Sequence, residues 1–127
     1  HALLTHALAA DAVEWFETIV TGDDVTRKKP APEVYDRVLE RLGLGPGDCI
    51  AIEDSPNGCA AARAAGLPTI VTTSTYTADR SFEGALVVAD SLGEPDRPWH
   101  VIAGDVAGAP YLDVEGLRHL HARARTP

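Results

Sequence analysis

Residues 49–58, with the sequence Cys-Ile-Ala-Ile-Glu-Asp-Ser-Pro-Asn-Gly, pass from a continuous apolar run to an acid pair and then to a turn. An apolar run that ends abruptly in charge is typical of a strand that is buried on both faces and emerges at one edge of a parallel sheet. We therefore predict a strand over residues 49–52. The Ser-Pro-Asn-Gly segment favours a turn and a helix cap. Residues 59–65 are alanine-rich and predict a short helix that stops at Gly66.

The chain on both sides of this unit continues the alternation of strands and helices. The further predicted strands are residues 16–21, 69–72 and 86–88. The further predicted helices are residues 1–10, 32–42 and 114–124, with Pro32 in the first turn of the second and Gly43 at its end. Residues 91–110 are rich in glycine, proline and polar side chains and predict a loop. The order predicts one α/β domain over residues 1–127, with a parallel sheet and flanking helices.

The composition narrows the class of protein. Of the 127 residues, 45% are hydrophobic and 24% are charged, which is the balance of a globular domain. The net charge of −8, without a local basic patch, argues against a nucleic-acid partner. No apolar run approaches the ~20 residues of a membrane-spanning helix. Cys49 and Cys59 have neither a zinc-site spacing nor a disulfide framework, so we expect two free thiols and a cytoplasmic location.

Two charged segments are candidates for a catalytic or ligand-binding site. Lys28 and Lys29 are the only lysines of the sequence, and a lysine ammonium can hold a phosphate oxygen or neutralise a carboxylate. Glu53 and Asp54 would repel each other unless a cation compensates, and carboxylates are the usual magnesium ligands where the substrate brings phosphate. If the predicted strands are parallel, both segments lie at the edge of the sheet that is formed by the carboxyl ends of the strands. Ligands bind at this edge in open α/β sheets. Each segment alone is also compatible with a solvated lysine pair or a capping acid pair.

Three segments of the chain occur in a specific combination. They are residues 20–25 (Val-Thr-Gly-Asp-Asp-Val), residues 29–35 (Lys-Pro-Ala-Pro-Glu-Val-Tyr) and residues 53–66, which include Glu-Asp-Ser-Pro-Asn-Gly and Ala-Ala-Arg-Ala-Ala-Gly. Together they resemble motifs three and four of haloacid dehalogenase superfamily phosphatases. Residues 71–77 and 92–95 resemble the CbbY-like branch of its subfamily I. The resemblance runs from about residue 15 to residue 95 and implies the C-terminal part of a Rossmann-like core domain.

The resemblance implies a mechanism and roles for individual residues. In such enzymes an aspartate attacks the phosphoryl group, a second aspartate two residues on acts as acid and base, and water clears the aspartyl-phosphate. Lys29 would bridge the nucleophile and the phosphate, Asp54 would bind Mg²⁺ directly, and Glu53 would bind it through water or orient its shell. Ser55 and Asn57 would support the site or contact the substrate. The implied activity is a magnesium-dependent phosphatase acting on a sugar phosphate. CbbY-like relatives act on pentulose bisphosphates, so xylulose 1,5-bisphosphate is the first substrate to consider.

The sequence departs from the family pattern at its beginning. It contains no Asp-x-Asp, so the first motif, Asp-x-Asp-Gly-Thr, is missing, as are the second-motif hydroxyl residue and the cap domain. It contains no methionine, which indicates that residues before His1 were removed or omitted. We therefore expect a C-terminal fragment that is catalytically silent by itself. In the family the two missing strands lie in the middle of the sheet, between the strands that include residues 18–21 and 49–52. We therefore also expect the chain to fold poorly or to obtain those strands from another polypeptide.

Other functions share parts of this pattern. A receiver module also combines acids, a phosphoacceptor aspartate and a lysine before proline, but there the acid pair comes first, whereas here Lys29 precedes Glu53 and Asp54. A β-phosphoglucomutase-like mutase uses nearly the same four motifs, and the cap would decide between the two activities. A non-catalytic remnant that binds metal, phosphate or a partner chain is the third alternative. Lys28 is either a solvated neighbour of Lys29 or a contact for a second phosphate. The sequence does not indicate an oligomeric state.

Overall fold

The structure is a computed structural model that describes residues 2–125, so three residues of the predicted domain (1, 126 and 127) lie outside it. Within the described residues, a four-stranded sheet has the order β1-β2-β3-β4. The strands are β1 Ala51–Glu53, β2 Thr69–Thr72, β3 Val87–Ala89 and β4 Val101–Gly104. The helices are α1 Ala2–Ala7, α2 Glu33–Leu42, α3 Pro56–Ala64 and α4 Val114–Arg125. The predicted helices, and the strands predicted from residue 49 to residue 88, are confirmed with small shifts at their ends.

Parallel pairing joins the first three strands, and antiparallel pairing joins the last. Ile70 of β2 lies opposite Ile52 of β1 and Val87 of β3, in parallel register. Val88 of β3 lies opposite Ala103 of β4 in antiparallel register. The predicted α/β fold is confirmed, and its sheet is mixed because β4 returns along the free side of β3, a common position for an antiparallel edge strand. The carboxyl ends of β1, β2 and β3 therefore lie at one edge of the sheet.

Helices pack on both faces of the sheet. Leu39 of α2 and Ala62 of α3 form one apolar cluster with Ala51 of β1. On the opposite face, Leu120 of α4 packs in a cluster with Ile70 of β2. Because successive strand residues point to opposite faces, two apolar residues in a row can enter two different clusters.

The outer strand β1 is less enclosed than the sequence predicts. Its side chains alternate between buried and exposed, and Ile52 is 46% exposed. The apolar cluster under α4 reaches Ile50 but does not include Ile52. The prediction of burial on both faces is therefore wrong at Ile52, because no helix among residues 2–125 covers that end of β1 on the α4 side. Within residues 2–125, β1 pairs only with β2.

Local sequence explains where α2 begins and ends. Pro32 is the N-cap, and its φ of −73° is the angle to which the proline ring restricts the backbone. Gly43 follows the helix with a φ of +65°, a left-handed conformation that glycine adopts without a side-chain clash. The helix predicted between these two residues is confirmed, with Pro32 as its cap.

Residues 16–21, predicted as a buried strand, form no strand. Within the described part of the chain no neighbouring strand bonds to them, and Phe16 is 46% exposed. The Arg41 guanidinium donates to the carbonyl oxygen of Ile19 at 2.7 Å and ties the segment to the end of α2. The apolar composition was not sufficient here, because a strand also requires a partner for its backbone hydrogen bonds. The turn predicted after it is present as a 3-10 turn at Gly22–Asp24.

Residues 91–110, predicted as a loop, contain strand β4 and a core side chain. Trp99 is buried, and its indole Nε1 donates to the carbonyl oxygen of Ala109 at 2.7 Å. It belongs to the same cluster as Ile70 and Leu120. The loop prediction is therefore wrong for residues 101–104, which are too short a run among turn-forming residues to stand out in the sequence.

Two predictions from composition concern the thiols and the membrane. Cys49 and Cys59 are both free, as predicted. Burial raises the pKa of each thiol above its usual value, so both stay protonated near neutral pH. None of the helices formed by residues 2–125 is long and apolar enough to cross a bilayer.

Candidate active site

The acid pair lies at the carboxyl end of β1, on the edge where the parallel strands end. Glu53 is the last residue of β1, and its side chain is only 6% exposed. Asp54 follows the strand and is exposed. Within residues 2–125, no side chain bonds to the Asp54 carboxylate. One carboxylate of the pair is therefore buried, and the other is open to solvent.

The lysine segment reaches this edge through Lys29. Its ammonium donates to Oε1 of Glu53 and forms an ion pair with it. The Lys29 side chain remains 39% exposed, so it is partly accessible to solvent while its ammonium compensates the buried acid. A buried carboxylate is costly unless it has such a partner. The structure thus brings together one residue from each of the two charged segments.

A third side chain, which the sequence analysis did not assign to the site, joins this pair. The Tyr35 hydroxyl donates to the same oxygen, Oε1 of Glu53. The Lys29 ammonium lies 5.3 Å from the centroid of the Tyr35 ring. Burial, and after it the hydrogen bond to Glu53, raises the pKa of Tyr35 above its usual value, so the hydroxyl keeps its proton and donates. The signal in the sequence was its place on the apolar face of α2, near the start of the helix, six residues after Lys29.

The turn after the acids begins α3. The hydroxyl oxygen of Ser55 accepts from the backbone N–H of Gly58 at 3.1 Å, which makes Ser55 the N-cap. Asn57 is exposed in the first turn. Neither side chain bonds to Lys29 or Glu53, and their contact with substrate stays a prediction. Gly58 is a second residue that the sequence analysis missed, because a β-carbon there would overlap the Glu53 carboxylate.

Glu33 shapes the loop that carries the lysines. Its Oε1 accepts from the backbone N–H of Thr26 and its Oε2 from that of Arg27, both at 2.8 Å. These backbone groups, Thr26 first, hold the pKa of Glu33 below its usual range. The Glu33 carboxylate therefore holds residues 26–27, shortly before Lys29, against the first turn of α2.

A cavity of about 340 Å³ opens beside the lysines. It is lined by Val20, Gly22, Val25, Lys28, Lys29 and Val34. Its volume falls within the range of small-molecule sites, and its lining is mostly apolar with two cations, the character of a site for an anionic organic ligand. Lys28 is exposed and shares this cavity with Lys29.

The donor set matches part of a magnesium shell. Magnesium binds one or two protein carboxylates together with waters and substrate phosphates. Asp54 fits a direct ligand because its carboxylate is exposed. Oε1 of Glu53 already accepts from Lys29 and Tyr35, which suits an indirect role. No cluster of three or more potential ligand side chains occurs within residues 2–125, so water, substrate or another segment has to complete the shell.

The chain is similar to known proteins over most of its length. A family model of haloacid dehalogenase-like hydrolases matches residues 6–72. The plasmid protein CbbY of Cupriavidus necator is 51% identical over 122 residues, which cover 94% of this chain and 47% of CbbY. Phosphoglycolate phosphatase of Escherichia coli K12 is 40% identical over 68 residues, which cover 54% of this chain and 27% of that enzyme.

A solved structure agrees with this similarity. The crystal structure of CbbY from Rhodobacter sphaeroides in complex with xylulose-1,5-bisphosphate matches with a TM-score of 0.61 and 44% identity. The match covers 63% of this chain and 36% of that one. The chain thus spans about half, or less, of the length of the relatives it matches.

Proposed function

We propose that this chain, which belongs to the haloacid dehalogenase-like hydrolase family, forms the lysine- and acid-bearing part of a magnesium-dependent sugar-phosphate phosphatase. The observation that carries the proposal is the ion pair between Lys29 and Glu53, next to the exposed carboxylate of Asp54. A cation and two carboxylates at one sheet edge are the groups that phosphoryl transfer requires, because catalysis there rests on positioning and on charge stabilisation.

Each residue has a distinct role in this proposal. The Lys29 ammonium binds an oxygen of the transferring phosphoryl group and balances the charge of the attacking carboxylate. Asp54 is the direct magnesium ligand, and Glu53 holds Lys29 and orients the water shell of the metal. When bound, magnesium would neutralise negative charge on the phosphoryl oxygens. The attacking aspartate has to come from another segment, because no Asp-x-Asp occurs in these 127 residues.

The substrate we propose is a pentulose bisphosphate such as xylulose 1,5-bisphosphate. Two observations support it. The CbbY relative from Rhodobacter sphaeroides was crystallised with that compound. In this chain Lys28 and Lys29 line one cavity, which is suited to a substrate with two phosphate groups.

The test begins with the reading frame upstream of the His1 codon. If the frame continues into Asp-x-Asp-Gly-Thr, we assay the continuous protein for magnesium-dependent phosphate release. If it does not, we mix the chain with a polypeptide that carries that motif and assay the mixture. Lys29→Ala and Asp54→Asn should each lower the rate on the order of a hundredfold or more. Arg118→Ala is the matched control, because it removes a cation that is 74% exposed on α4.

The outcomes separate the alternatives. Residues 1–127 alone should release no phosphate, and magnesium-dependent release by them alone would contradict the proposal. Transfer of phosphate to a second position of the sugar, without free phosphate, would indicate a mutase. A complemented protein with no activity on any sugar phosphate would favour the non-catalytic alternative.

A further inference from the structure

We infer that Tyr35 is a positioning residue that fixes the Glu53 carboxylate and the Lys29 ammonium relative to each other. The hydroxyl of Tyr35 donates to Oε1 of Glu53, and its ring faces the ammonium of Lys29 at 5.3 Å. The inference rests on the proposed function, since positioning has a catalytic meaning only if Lys29 and Glu53 serve phosphoryl transfer.

The geometry makes Tyr35 the common neighbour of both charged groups. Lys29 and Tyr35 donate to the same carboxylate oxygen, so the carboxylate is held from two directions. The ring supplies a further attraction for the ammonium through its negative face. A lysine side chain has four rotatable bonds and would sample many positions if the carboxylate were its only contact.

The helix and the apolar cluster around Tyr35 hold this residue in a fixed position. The residue belongs to the first turn of α2, whose N-cap is Pro32. Its ring packs against the apolar cluster that contains Leu39 and Ala51. An aromatic side chain anchored in a core is rigid, and positioning requires rigidity of this kind.

If Tyr35 had a purely structural role, its replacement would have a different effect. If the ring only fills the core, its replacement lowers stability and leaves the two charged groups as they are. If Tyr35 positions them, loss of the hydroxyl alone changes the mobility of Lys29 while the core stays filled. Tyr35→Phe tests the hydroxyl, and Tyr35→Leu tests hydroxyl and ring together.

The composition of the chain makes this measurement simple. Lys28 and Lys29 are its only lysines, so the ¹⁵N-lysine-labelled chain, mixed with an unlabelled polypeptide that supplies the missing strands, shows two labelled ammonium signals. We expect the Lys29 signal to be the less mobile and the slower to exchange with water. Tyr35→Phe should speed its exchange by about tenfold, the loss expected for one hydrogen bond to a charged group. The Lys28 signal should not change, and it is the internal control.

A kinetic measurement complements the spectra. In the phosphate-releasing form of the protein, Tyr35→Phe should lower kcat by about tenfold and leave the KM for the sugar phosphate unchanged. Tyr76→Phe is the matched control, because Tyr76 is 87% exposed. If Tyr35→Phe and Tyr35→Leu leave both the Lys29 signal and kcat unchanged, the inference is wrong while the proposed function stands. If no form releases phosphate but Tyr35→Phe frees Lys29, the proposed function fails and the positioning contact is real.

Discussion

Gly58, in the first turn of α3, lies directly against the carboxylate of Glu53 at the end of β1. Glycine is a poor helix former, because its backbone loses more freedom in a helix than that of alanine. Its presence in a short helix therefore needs a local reason. The space that a β-carbon would fill is the space that the buried acid occupies.

We predict that Gly58→Ala destabilises the chain by about 1–3 kcal/mol, the usual cost of overpacking a filled site. In the background of Glu53→Ala the same change should be neutral or stabilising, because helix propensity then favours alanine by about 1 kcal/mol. Urea unfolding of the four variants, each complemented by a polypeptide that supplies the missing strands, gives the double-mutant cycle. Gly47→Ala is the control, since nothing lies within 4 Å of a β-carbon there. Equal effects of Gly58→Ala in both backgrounds would show that the two residues do not interact.

We predict that Glu33 contributes stability that depends on pH. Its pKa is lowered in the folded chain by the backbone N–H groups of Thr26 and Arg27. A lowered pKa means that this stability is fully present above the unfolded pKa of about 4.3 and is lost as pH falls through the folded pKa. Glu33→Gln should therefore lower the free energy of unfolding near neutral pH, because an amide oxygen replaces only one of the two accepting oxygens.

Denaturant unfolding of the chain, complemented by a polypeptide that supplies the missing strands, at a series of pH values checks this prediction for Glu33. The difference between wild type and Glu33→Gln should close as the pH falls below the ordinary carboxylate range. Glu40→Gln, on the exposed side of the same helix, should give a small difference that does not change in this way. A difference for Glu33→Gln that is constant with pH would argue against the two backbone hydrogen bonds.

We predict that Trp99→Phe destabilises the complemented chain by about 1–3 kcal/mol, because the carbonyl oxygen of Ala109 loses the donor of a partly buried hydrogen bond. Trp15→Phe should change stability far less, since Trp15 is 60% exposed. Because these are the only two tryptophans of the chain, the fluorescence of each single variant with a tryptophan-free complement reports on the other residue. A small effect of Trp99→Phe would mean that residues 91–110 do not pack as the structure describes.

We predict that the isolated chain associates through β1 and unfolds without a single sharp transition. The outer edge of β1 has no partner within residues 2–125, and unpaired edges template association. Ile52→Lys should reduce association, because Ile52 is 46% exposed and a charge on an edge strand disfavours pairing. Sedimentation over a range of concentrations, together with thermal unfolding, measures both properties. A monomer with cooperative two-state unfolding would contradict the prediction.

Much of the fold could be predicted from the sequence because its signals are local. Pro32 and Gly43 bound α2 through their own backbone preferences, and Ser55 caps α3 three residues ahead of its partner N–H. Strand β2 could be predicted from four consecutive β-branched residues. The segment at residues 16–21 carries the same local signal and forms no strand, so the signal alone was not enough.

The candidate site was predictable in part. The types and order of Lys29, Glu53 and Asp54 in the sequence indicate phosphate and metal chemistry. Their environments were not predictable, because adjacent acids look alike in a sequence. Only the folded sheet determines that Glu53 is buried beside Lys29 and Tyr35 and that Asp54 is exposed to solvent.

The sequence by itself determined which segments prefer to be helical or extended, where the helices are capped and which charged residues are available. Only the tertiary structure decided that Lys29 and Tyr35 meet on one oxygen of Glu53, across separations of 24 and 18 residues. It also decided that β4 pairs with β3 and that no described strand pairs with residues 16–21. The physical reason is that capping and backbone preference act over a few residues. Strand pairing and buried contacts depend instead on which distant surfaces the packed chain brings together.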